Sequence, residues 1–365
     1  MTNDKRRAEA RDINRTHINL EDTFQPTSIH GQRTTAILIN TNSVTMEELV
    51  VITGGAGFIG SHLAEAFVRD GYRVRVIDNL STGKSANLAR IRDSIDFRKI
   101  DVCDLASLIP ALEGASIILH HAEISSVIRS FEDQAATHDV NVTGTQNLLK
   151  AAVAVGAKKI INASSSSVYG DTRAELQTES AFPAPCSPYG FSKWLGEIYS
   201  LQFAQMTQVE TISLRYFNVF GPRQNLDGDA TAVVPQFIRK LADGVRPIIF
   251  GDGTQTRDFT YIDSVVEATL RAAKTPIPSG AILNIATGGR LSLNALLEML
   301  NEIFGSQIAP IYESNRMGDI KHSCADIRLS EKLLGDYNRA DIRDGLVRTA
   351  RWVLSASGRT KKCED

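Results

Sequence analysis

The sequence predicts an α/β protein built on a Rossmann-like, doubly wound parallel sheet, with a smaller and irregular C-terminal lobe. Three observations indicate this class. From Glu47 onward, short apolar runs alternate with stretches of helical periodicity, which is typical of parallel sheets whose crossovers are helices. A glycine-rich turn follows the first apolar run. After about Gly221 the alternation fails and Gly, Asp, Pro and Asn recur, so an irregular lobe with binding loops is expected there.

The apolar runs predict the strands, and the periodic stretches between them predict the helices. Strands are expected at 49–53, 72–77, 95–100, 116–120, 159–163 and 211–214. Helices are expected at 58–69, 136–155, 189–205, 233–243 and 293–304. In the long helix at 136–155, Val140, Leu148, Leu149 and Ala152 lie on one face, which predicts packing against the sheet.

Four regions follow from this pattern. Residues 1–45 are polar with scattered apolar positions and are expected to form a mobile N-terminal extension; alternatively, 36–39 adds a short edge strand. A dinucleotide-binding domain is expected at 46–221, with a strand and helix returning to it near 260–287. Residues 222–345 are expected to form mainly a substrate-binding lobe, and 346–365 a C-terminal helix and tail.

The composition is that of an ordinary globular protein. The 365 residues carry a formal net charge of -2, which gives no reason to expect nucleic acid or an anionic membrane as partner. No apolar run approaches the roughly 18 residues of a membrane span. The four cysteines show no paired spacing, which favours a cytoplasmic protein with reduced thiols. No metal site is expected, and His120-His121 is interpreted as structural.

The glycine-rich turn predicts a dinucleotide site. Gly54 allows a tight turn, Gly57 lets the backbone approach a pyrophosphate, and Gly60 allows close packing of the following helix. The free N–H groups of that helix favour an anion. Asp78 ends the second strand 18 residues after Gly60. A carboxylate there accepts from ribose hydroxyls and repels a 2′-phosphate, so NAD is favoured over NADP, although Lys84 lies nearby.

Tyr189 and Lys193 form a YxxxK pair. On a helix this spacing places a phenol and an ammonium on one face, one turn apart. The cation is expected to lower the pKa of the phenol, which would make Tyr189 a general base for an alcohol or sugar hydroxyl.

These motifs together resemble the extended short-chain dehydrogenase/reductases and, within them, the NAD-dependent nucleotide-sugar 4-epimerases. The resemblance covers roughly residues 48–335. It rests on TGGAGFIGSH (53–62), DNLSTGK (78–84), DVCDL (101–105), NVTGTQNLL (141–149), SSSSVYGD (164–171), SPYGFSKWLGE (187–197), RYFNVFGPRQN (215–225), GDGTQTRDFTYIDS (251–264) and RMGDIKHSCAD (316–326).

The resemblance implies a site residue by residue. Ser165 would complete a catalytic triad with Tyr189 and Lys193, which would also contact the cofactor. The further cofactor contacts would be Gly54, Gly57, Phe58, Ile59, Gly60, Asp78, Asn79, Ser81, Gly83, Lys84, Asp101, Val102, Ala122, Ser125, Asn141, Tyr216 and Val219. The substrate contacts would be Ser126, Ser165, Ser166, Asn218, Ala232, Val233, Arg257, Arg316, Asp319 and Ser323. Arg257 and Arg316 would clamp the diphosphate, a task suited to the guanidinium fork.

The resemblance also implies a reaction and a sugar. Related dehydratases carry Asp and Glu after the catalytic hydroxyl, whereas this chain has Ser166 and Ser167. Epimerisation at C4 through a 4-keto sugar is therefore expected. Uronate enzymes tend to carry Thr at position 218 and Arg at position 225, where this chain has Asn218 and Asn225. A small Ser323 leaves room for an N-acetyl group, which favours UDP-GlcNAc/UDP-GalNAc, with UDP-Glc/UDP-Gal as further substrates.

Alternatives remain open at this point. They are a UDP-glucuronate 4-epimerase, another nucleotide-sugar oxidoreductase, and a weakly active NAD-binding protein. The last arises from one departure: Glu123 replaces the small residue that the family places after the fourth strand. A carboxylate there would weaken cofactor binding by repulsion, turn outward, or pair with Arg129. A homodimer is expected, with helices at 136–155 and 189–205 as candidates for the interface.

Overall fold

A central parallel sheet organises the molecule. The computed structural model describes residues 48–172, 174–226, 232–314, 320–337, 340–356 and 358. Within these residues, seven strands pair in the order β11-β6-β5-β4-β1-β2-β3, and every pair is parallel. The strands are β1 Leu49–Thr53, β2 Arg73–Ile77, β3 Ile95–Arg98, β4 Ala115–His120, β5 Lys159–Ser165, β6 Glu210–Tyr216 and β11 Ala281–Ile285. The predicted Rossmann-like fold is confirmed.

Both faces of the sheet are buried. Side chains alternate along β1, so that Val50 and Ile52 join one apolar cluster whereas Leu49 and Val51 join the other. Burial on both faces explains why the strand reads as a continuous apolar run in the sequence. The cluster that contains Val50 continues to Val353 near the end of the described chain, so the irregular part shares its core with the sheet.

Helices cover the sheet on both faces. They are α1 Phe58–Arg69, α2 Leu105–Ala111, α3 Val127–Glu132, α4 Gln134–His138, α5 Gly144–Ala154, α6 Pro188–Met206, α7 Val233–Ala242, α8 Ile262–Lys274, α9 Leu293–Ile303, α10 Arg328–Leu334 and α11 Ile342–Ala356. Local sequence signals explain where several begin. Ser187 caps α6 by accepting from the Gly190 N–H at 3.1 Å, and Pro188 occupies the first turn, where no donor is needed.

The long helix predicted at 136–155 is interrupted. The helices α4 and α5 are joined by a π-helical segment, Asp139–Thr143. A π-turn adds a residue to the helical repeat and re-aims the side chains within it. Asn141 lies in this segment, and its contacts reach the site described below.

The irregular part consists of small two-stranded pairs between helices. Its strands are β7 Val219–Phe220, β8 Ile248–Phe250, β9 Thr256–Arg257, β10 Thr260–Tyr261, β12 Leu291–Ser292 and β13 Ile311–Glu313. The helices predicted at 233–243 and 293–304 correspond to α7 and α9. The extension at 1–45 and most of the tail after Ala356 lie outside the described residues. No helix in the described ranges has the length and apolarity that a membrane span requires.

Candidate active site

The carboxyl ends of the central strands open into one large cavity. The strand order reverses between β1 and β4, which is the position where doubly wound sheets bind ligands. A cavity of about 1680 Å³ lies there. It contacts the glycine turn after β1, the end of β2, the loop after β4, the end of β5 and the start of α6. The loops that carry most of the predicted site residues therefore border this cavity.

The glycine turn is shaped by contacts that exclude side chains. Gly54 has a φ of +67°, a left-handed conformation that favours glycine. A Cβ on Gly60 would lie 2.3 Å from the Gly54 carbonyl oxygen, so the turn and α1 pack backbone to backbone. Gly57 begins α1 without a side-chain cap. The first N–H groups of the helix therefore face the cavity, as binding of a pyrophosphate requires.

A carboxylate stands where the adenosine of a dinucleotide would bind. Asp78 accepts from the Ala56 N–H at 2.9 Å and from the Leu80 N–H at 2.8 Å, which fixes its orientation. Burial raises the pKa of this carboxyl above its usual value, although the two hydrogen bonds act in the opposite direction. Asn79 donates to Asp101 at 2.8 Å, so the two strand ends are tied together. These residues, with the glycine turn, fit NAD.

His120 ends β4 and His121 follows it, and both imidazoles are neutral. Burial, with the charge of Lys193 as a second cause, lowers the pKa of His120 to about 3 and that of His121 to about 3. His120 bridges Thr53 and Thr145, with ring nitrogens 2.8 and 3.0 Å from their hydroxyl oxygens. His121 lies 3.1 Å from the Tyr216 hydroxyl. Their interpretation as structural residues fits these contacts.

Ser165 and Tyr189 meet at the cavity. Ser165 ends β5 and accepts from the Ser167 N–H at 3.1 Å, which holds its hydroxyl at the strand end. Tyr189 lies in the first turn of α6, and its N–H donates to Ser130 at 3.1 Å. The Ser165 hydroxyl donates to the Ser167 hydroxyl at 3.1 Å, and it lies near enough to Tyr189 to act on the pKa of the phenol. Both residues line the cavity, so a ligand hydroxyl between them is within reach of both.

Glu123 pairs with Lys193 and balances the positive charge that was expected to act on Tyr189. Lys193 Nζ lies 2.5 Å from Glu123 Oε2, with the two side chains 9% and 20% exposed. Glu123 therefore neither turns outward nor pairs with Arg129. The prediction that Lys193 lowers the pKa of Tyr189 is wrong for this arrangement. Burial and then the charge of Glu123 raise that pKa well above its usual value, although the hydrogen bond from Ser165 acts in the opposite direction.

Asn141 fixes the loop that carries Glu123. Its side chain accepts from the Ile124 N–H at 2.8 Å and donates to the Ile124 carbonyl oxygen at 3.1 Å. It also donates to Ser192 on α6 at 3.0 Å. The π-helical segment thus ties the loop after β4 to the helix of Tyr189 and Lys193. Such second-layer hydrogen bonds hold reactive groups in place.

Most of the predicted site residues lie at the cavity. The cofactor residues that line it are Gly54, Gly57, Phe58, Ile59, Gly60, Asp78, Asn79, Ser81, Lys84, Asp101, Val102, Ala122, Ser125, Tyr189, Tyr216 and Val219. The substrate residues that line it are Ser126, Ser165, Ser166, Asn218 and Ala232. Asn141 and Lys193 lie behind this lining, and Gly83 packs against Asp78, where a Cβ would stand 2.8 Å from Oδ1.

The remaining substrate predictions fall elsewhere. Val233 begins α7 beside Ala232. Arg257 donates to the Thr256 and Lys321 carbonyl oxygens, and Ser323 is buried with its hydroxyl 3.2 Å from Gln177 Oε1. None of these three is among the described residues that line the cavity. Arg316 and Asp319 lie outside the described residues.

The structure adds residues that the sequence did not single out as contacts. Arg129 on α3 lines the cavity next to Ser126. Its position after the end of β4 was a usable signal, because loops at the carboxyl ends of parallel strands bind ligands. A branch of the cavity also runs between α1, α8 and α11, past Tyr261 and Trp352. Within the described ranges, no group of three or more His, Cys, Asp or Glu side chains could hold a metal ion.

Comparisons with known proteins agree with this geometry. Residues 50–286 match the model of the NAD dependent epimerase/dehydratase family. A putative UDP-glucose 4-epimerase of Methanocaldococcus jannaschii is 35% identical over 84% of this chain and 98% of its own length.

Two solved structures are similar throughout. The UDP-N-acetylglucosamine 4-epimerase of Methanobrevibacter ruminantium M1, in complex with UDP-N-acetylmuramic acid, has a TM-score of 0.81 and 35% identity, covering 85% of this chain and 99% of that one. The UDP-glucuronic acid 4-epimerase of Bacillus cereus, with UDP-glucuronic acid and NAD, has a TM-score of 0.79 and 31% identity, covering 84% and 99%.

Proposed function

Because the chain belongs to the NAD dependent epimerase/dehydratase family, and is an NAD-dependent nucleotide-sugar 4-epimerase, we propose that it interconverts UDP-GlcNAc and UDP-GalNAc. UDP-glucose and UDP-galactose are the further substrates of this proposal. The observation that carries the reaction type is the pair of hydroxyls of Ser165 and Tyr189 at the carboxyl end of the sheet, in a cavity whose glycine turn and Asp78 fit NAD.

The residues beside Ser165 support epimerisation over elimination. Ser166 and Ser167 both line the cavity, at the two positions where the resembling dehydratases carry acids. A seryl hydroxyl is far too weak an acid or base to shuttle a proton at neutral pH. The proton transfer is therefore confined to the hydroxyl on C4, the group that Tyr189 and Ser165 contact in this proposal.

In the proposed mechanism, Tyr189 and Ser165 hold the C4 hydroxyl, and Tyr189 moves its proton. The glycine turn and Asp78 would hold NAD, which would supply an acceptor for the hydride of C4 and a donor for its return to the opposite face of the ketone. Ser165 steadies the developing C4 oxygen through a hydrogen bond. Lys193 is buried behind the cavity lining and pairs with Glu123 at 2.5 Å, so its charge is balanced within the protein.

Epimerisation requires the ketone to turn over while the nucleotide stays bound. We assign the nucleotide to Asn218, Ala232 and Val233, and the diphosphate to Arg257 and Arg316. Asn218 and Ala232 line the cavity, which supports their part of the assignment. A cavity of about 1680 Å³ exceeds the usual size of a small-molecule pocket, which suits a cofactor and a nucleotide sugar bound together.

The N-acetyl sugar is supported by similarity and by the absence of uronate signals. The Methanobrevibacter ruminantium UDP-N-acetylglucosamine 4-epimerase is similar over nearly its whole length. Asn218 and Asn225 line the cavity in place of the Thr and Arg that uronate enzymes tend to carry. Ser323 and Asp319 belong to the same proposal, as the small residue near the sugar and the ribose-binding carboxylate.

One observation favours UDP-glucuronate as a second candidate. Arg129 is exposed and lines the cavity close to Ser126. A guanidinium there offers two parallel hydrogen bonds to a C6 carboxylate. The similarity to the Bacillus cereus UDP-glucuronic acid 4-epimerase fits this reading as well.

A panel of UDP-sugars separates these possibilities. Protein incubated with UDP-GlcNAc, UDP-glucose and UDP-glucuronate, each with NAD, is followed by NMR of the products. We expect UDP-GalNAc from UDP-GlcNAc without lasting reduction of NAD. Loss of activity in Tyr189→Phe, with retained NAD binding, is the matched control. Net accumulation of reduced cofactor would point to an oxidoreductase, and turnover of UDP-glucuronate alone would point to the second candidate.

We also propose a cytoplasmic homodimer that pairs α5 and α6 between subunits. The outer face of α6 exposes Phe191, Ile198 and Leu201, spaced seven and three residues apart on one side of the helix. Val153 on α5 is exposed as well. A helical apolar face of this kind is typical of an interface between subunits.

A further inference from the structure

Glu123 lies between the glycine turn and the hydroxyl group of Ser165. In the sheet, β4 is the strand between β1 and β5. The glycine turn follows β1, Ser165 ends β5, and Glu123 follows β4. Because parallel strands bring their carboxyl ends to one edge of a sheet, the loop after β4 lies between the other two strand ends. Glu123 lines the cavity at this point.

This position is where the second ribose of a bound NAD has to pass. NAD joins an adenosine, a diphosphate, a second ribose and the nicotinamide in that order. The N-terminus of α1 after the glycine turn suits the diphosphate, and Asp78 suits the adenosine. The nicotinamide has to meet the sugar beside Tyr189 and Ser165, because hydride transfer requires contact of the reacting atoms. The ribose between diphosphate and nicotinamide therefore passes the loop after β4.

The charged group that the cavity presents at this point is a carboxylate. Glu123 lines the cavity, whereas Lys193 is not among the described residues that line it. Glu123 Oε2 lies 2.5 Å from Lys193 Nζ, and the two side chains are 20% and 9% exposed. A carboxylate has about four lone-pair sites, so this ion pair leaves acceptor sites for a ligand. Ribose hydroxyls are donors that such sites can bind.

The loop that carries Glu123 is supported from behind. Asn141 accepts from the Ile124 N–H at 2.8 Å and donates to the Ile124 carbonyl oxygen at 3.1 Å. It also donates at 3.0 Å to Ser192, which precedes Lys193 on α6. One side chain thus ties the loop of Glu123 to the helix of its ionic partner. A binding group requires such support to keep its geometry.

The other described carboxylates of the cavity lining lie on different elements. Asp78 follows β2 and Asp101 follows β3, which are the strands on the adenosine side of the glycine turn. The remaining ones lie on α1 and α8, and they are Glu65, Asp263 and Glu267. Glu123 is therefore the described carboxylate of the lining that is placed for the second ribose.

We propose that Glu123 accepts hydrogen bonds from the hydroxyls of the nicotinamide ribose and thereby positions the nicotinamide for hydride transfer. A carboxylate is a good partner for ribose hydroxyls, as at the adenosine end of dinucleotide sites, and its charge strengthens the hydrogen bonds. Lys193 balances the charge of Glu123, which reduces repulsion of the diphosphate. In this role Glu123 strengthens cofactor binding. The inference concerns the cofactor alone and goes beyond the proposed sugar substrate.

Calorimetry with three ligands tests this role on wild type, Glu123→Gln and Glu123→Ala, each freed of cofactor. ADP lacks the second ribose, ADP-ribose contains it, and NAD adds the nicotinamide. The loss of Glu123 also leaves Lys193 unbalanced, but that charge acts on the diphosphate that all three ligands share. The affinity for ADP-ribose relative to ADP therefore isolates the second ribose. This ratio should fall about 10-fold or more in Glu123→Ala, and less in Glu123→Gln, whose amide oxygen still accepts.

Glu267→Gln is the matched control, because it removes the same charge from the cavity lining on α8. Its ratio should equal that of wild type. Binding of ADP and thermal unfolding show whether each variant is folded. An unchanged ratio in a folded Glu123→Ala would overturn the proposal. A higher ratio, with tighter binding of ADP-ribose and NAD, would also overturn it and show that Glu123 hinders the cofactor.

A second test depends on the wild-type protein. An NAD analogue whose nicotinamide ribose lacks both hydroxyls should bind wild type more weakly than NAD does, and Glu123→Ala should discriminate less between the two ligands. Equal binding of both ligands to wild type would contradict the proposal, even if every Glu123 variant misfolds. Neither test involves a sugar or turnover, so a failure here is distinct from a failure of the proposed 4-epimerase substrate.

Discussion

At the scale of single residues, a buried ion pair joins α6 to β6. Glu197 and Arg215 are 2% and 1% exposed and lie 2.7 Å apart. Ser164 donates to Glu197 at 2.5 Å, and the Arg215 guanidinium stacks 4.6 Å from the Tyr169 ring centre. Each of the two charges is balanced by the other, so removal of one side chain leaves an unbalanced buried charge.

We expect Glu197→Ala to lower the free energy of unfolding by about 3–5 kcal/mol, because Arg215 remains buried without its carboxylate. Denaturant unfolding measures the change. Glu210→Ala is the control: Glu210 is 49% exposed and lies 3.4 Å from Lys159, so its loss should cost less than about 1 kcal/mol. Equal losses for the two variants would contradict the assignment.

The buried histidines link stability to pH. The pKa values of His120 and His121 fall from 6.5 to about 3 on folding. Above pH 6.5 the imidazoles are neutral in both states. Between pH 6.5 and about 3 the unfolded chain binds protons that the folded chain does not. The free energy of unfolding should therefore fall with decreasing pH, by up to about 1.4 kcal/mol per pH unit for each histidine.

Unfolding curves measured across this pH window test the linkage. His121→Phe keeps a ring against Tyr216, with which His121 stacks at 5.8 Å, but removes one of the two titrating groups. Its stability should depend less steeply on pH than that of wild type. Identical slopes would show that His121 is protonated in the folded protein.

At the scale of elements, backbone contact between the glycine turn and α1 sets the cofactor site. We expect Gly60→Ala to weaken NAD binding and stability together, because its Cβ would lie 2.3 Å from the Gly54 carbonyl oxygen. Gly196→Ala on α6 is the matched control. There the Cβ would meet the Asn162 side chain at 3.5 Å, an ordinary contact, and helix propensity should stabilise the protein by about 0.5–1 kcal/mol.

Calorimetry with NAD and thermal unfolding measure both effects. A Gly60→Ala protein that binds NAD as wild type does would mean that the turn and helix can separate without loss of the site.

The helix predicted at 136–155 differs from the helices that the structure contains. The repeat of apolar residues predicted one helix at 136–155. The structure has a π-helical turn at Asp139–Thr143, where Asn141 bonds to Ile124 and Ser192, partners that are distant in the chain.

At the scale of the whole molecule, the exposed face of α6 predicts the oligomeric state. Replacing Ile198 by Glu should convert a dimer to a monomer, because a charge would then be buried between two apolar faces. Sedimentation velocity measures the change. Val245→Glu, at an exposed apolar position after α7, should leave the dimer intact. A wild-type monomer, or a dimer that survives Ile198→Glu, would contradict the proposed interface.

The sequence alone determined the sheet and the glycine turn, because these depend on local periodicity and on residue types at fixed spacing. The YxxxK spacing indicated Tyr189 and Lys193, and the family resemblance implied Ser165. It also marked Glu123 as a departure. Only the tertiary structure decided which partner Glu123 takes. Lys193 lies on α6 and Glu123 on the loop after β4, and the two meet because parallel strands bring their carboxyl ends to one edge. The contact between Glu123 and Lys193 reverses the expected change in the pKa of Tyr189. The strength of the interaction between charges depends on their distance and burial, which the sequence does not contain.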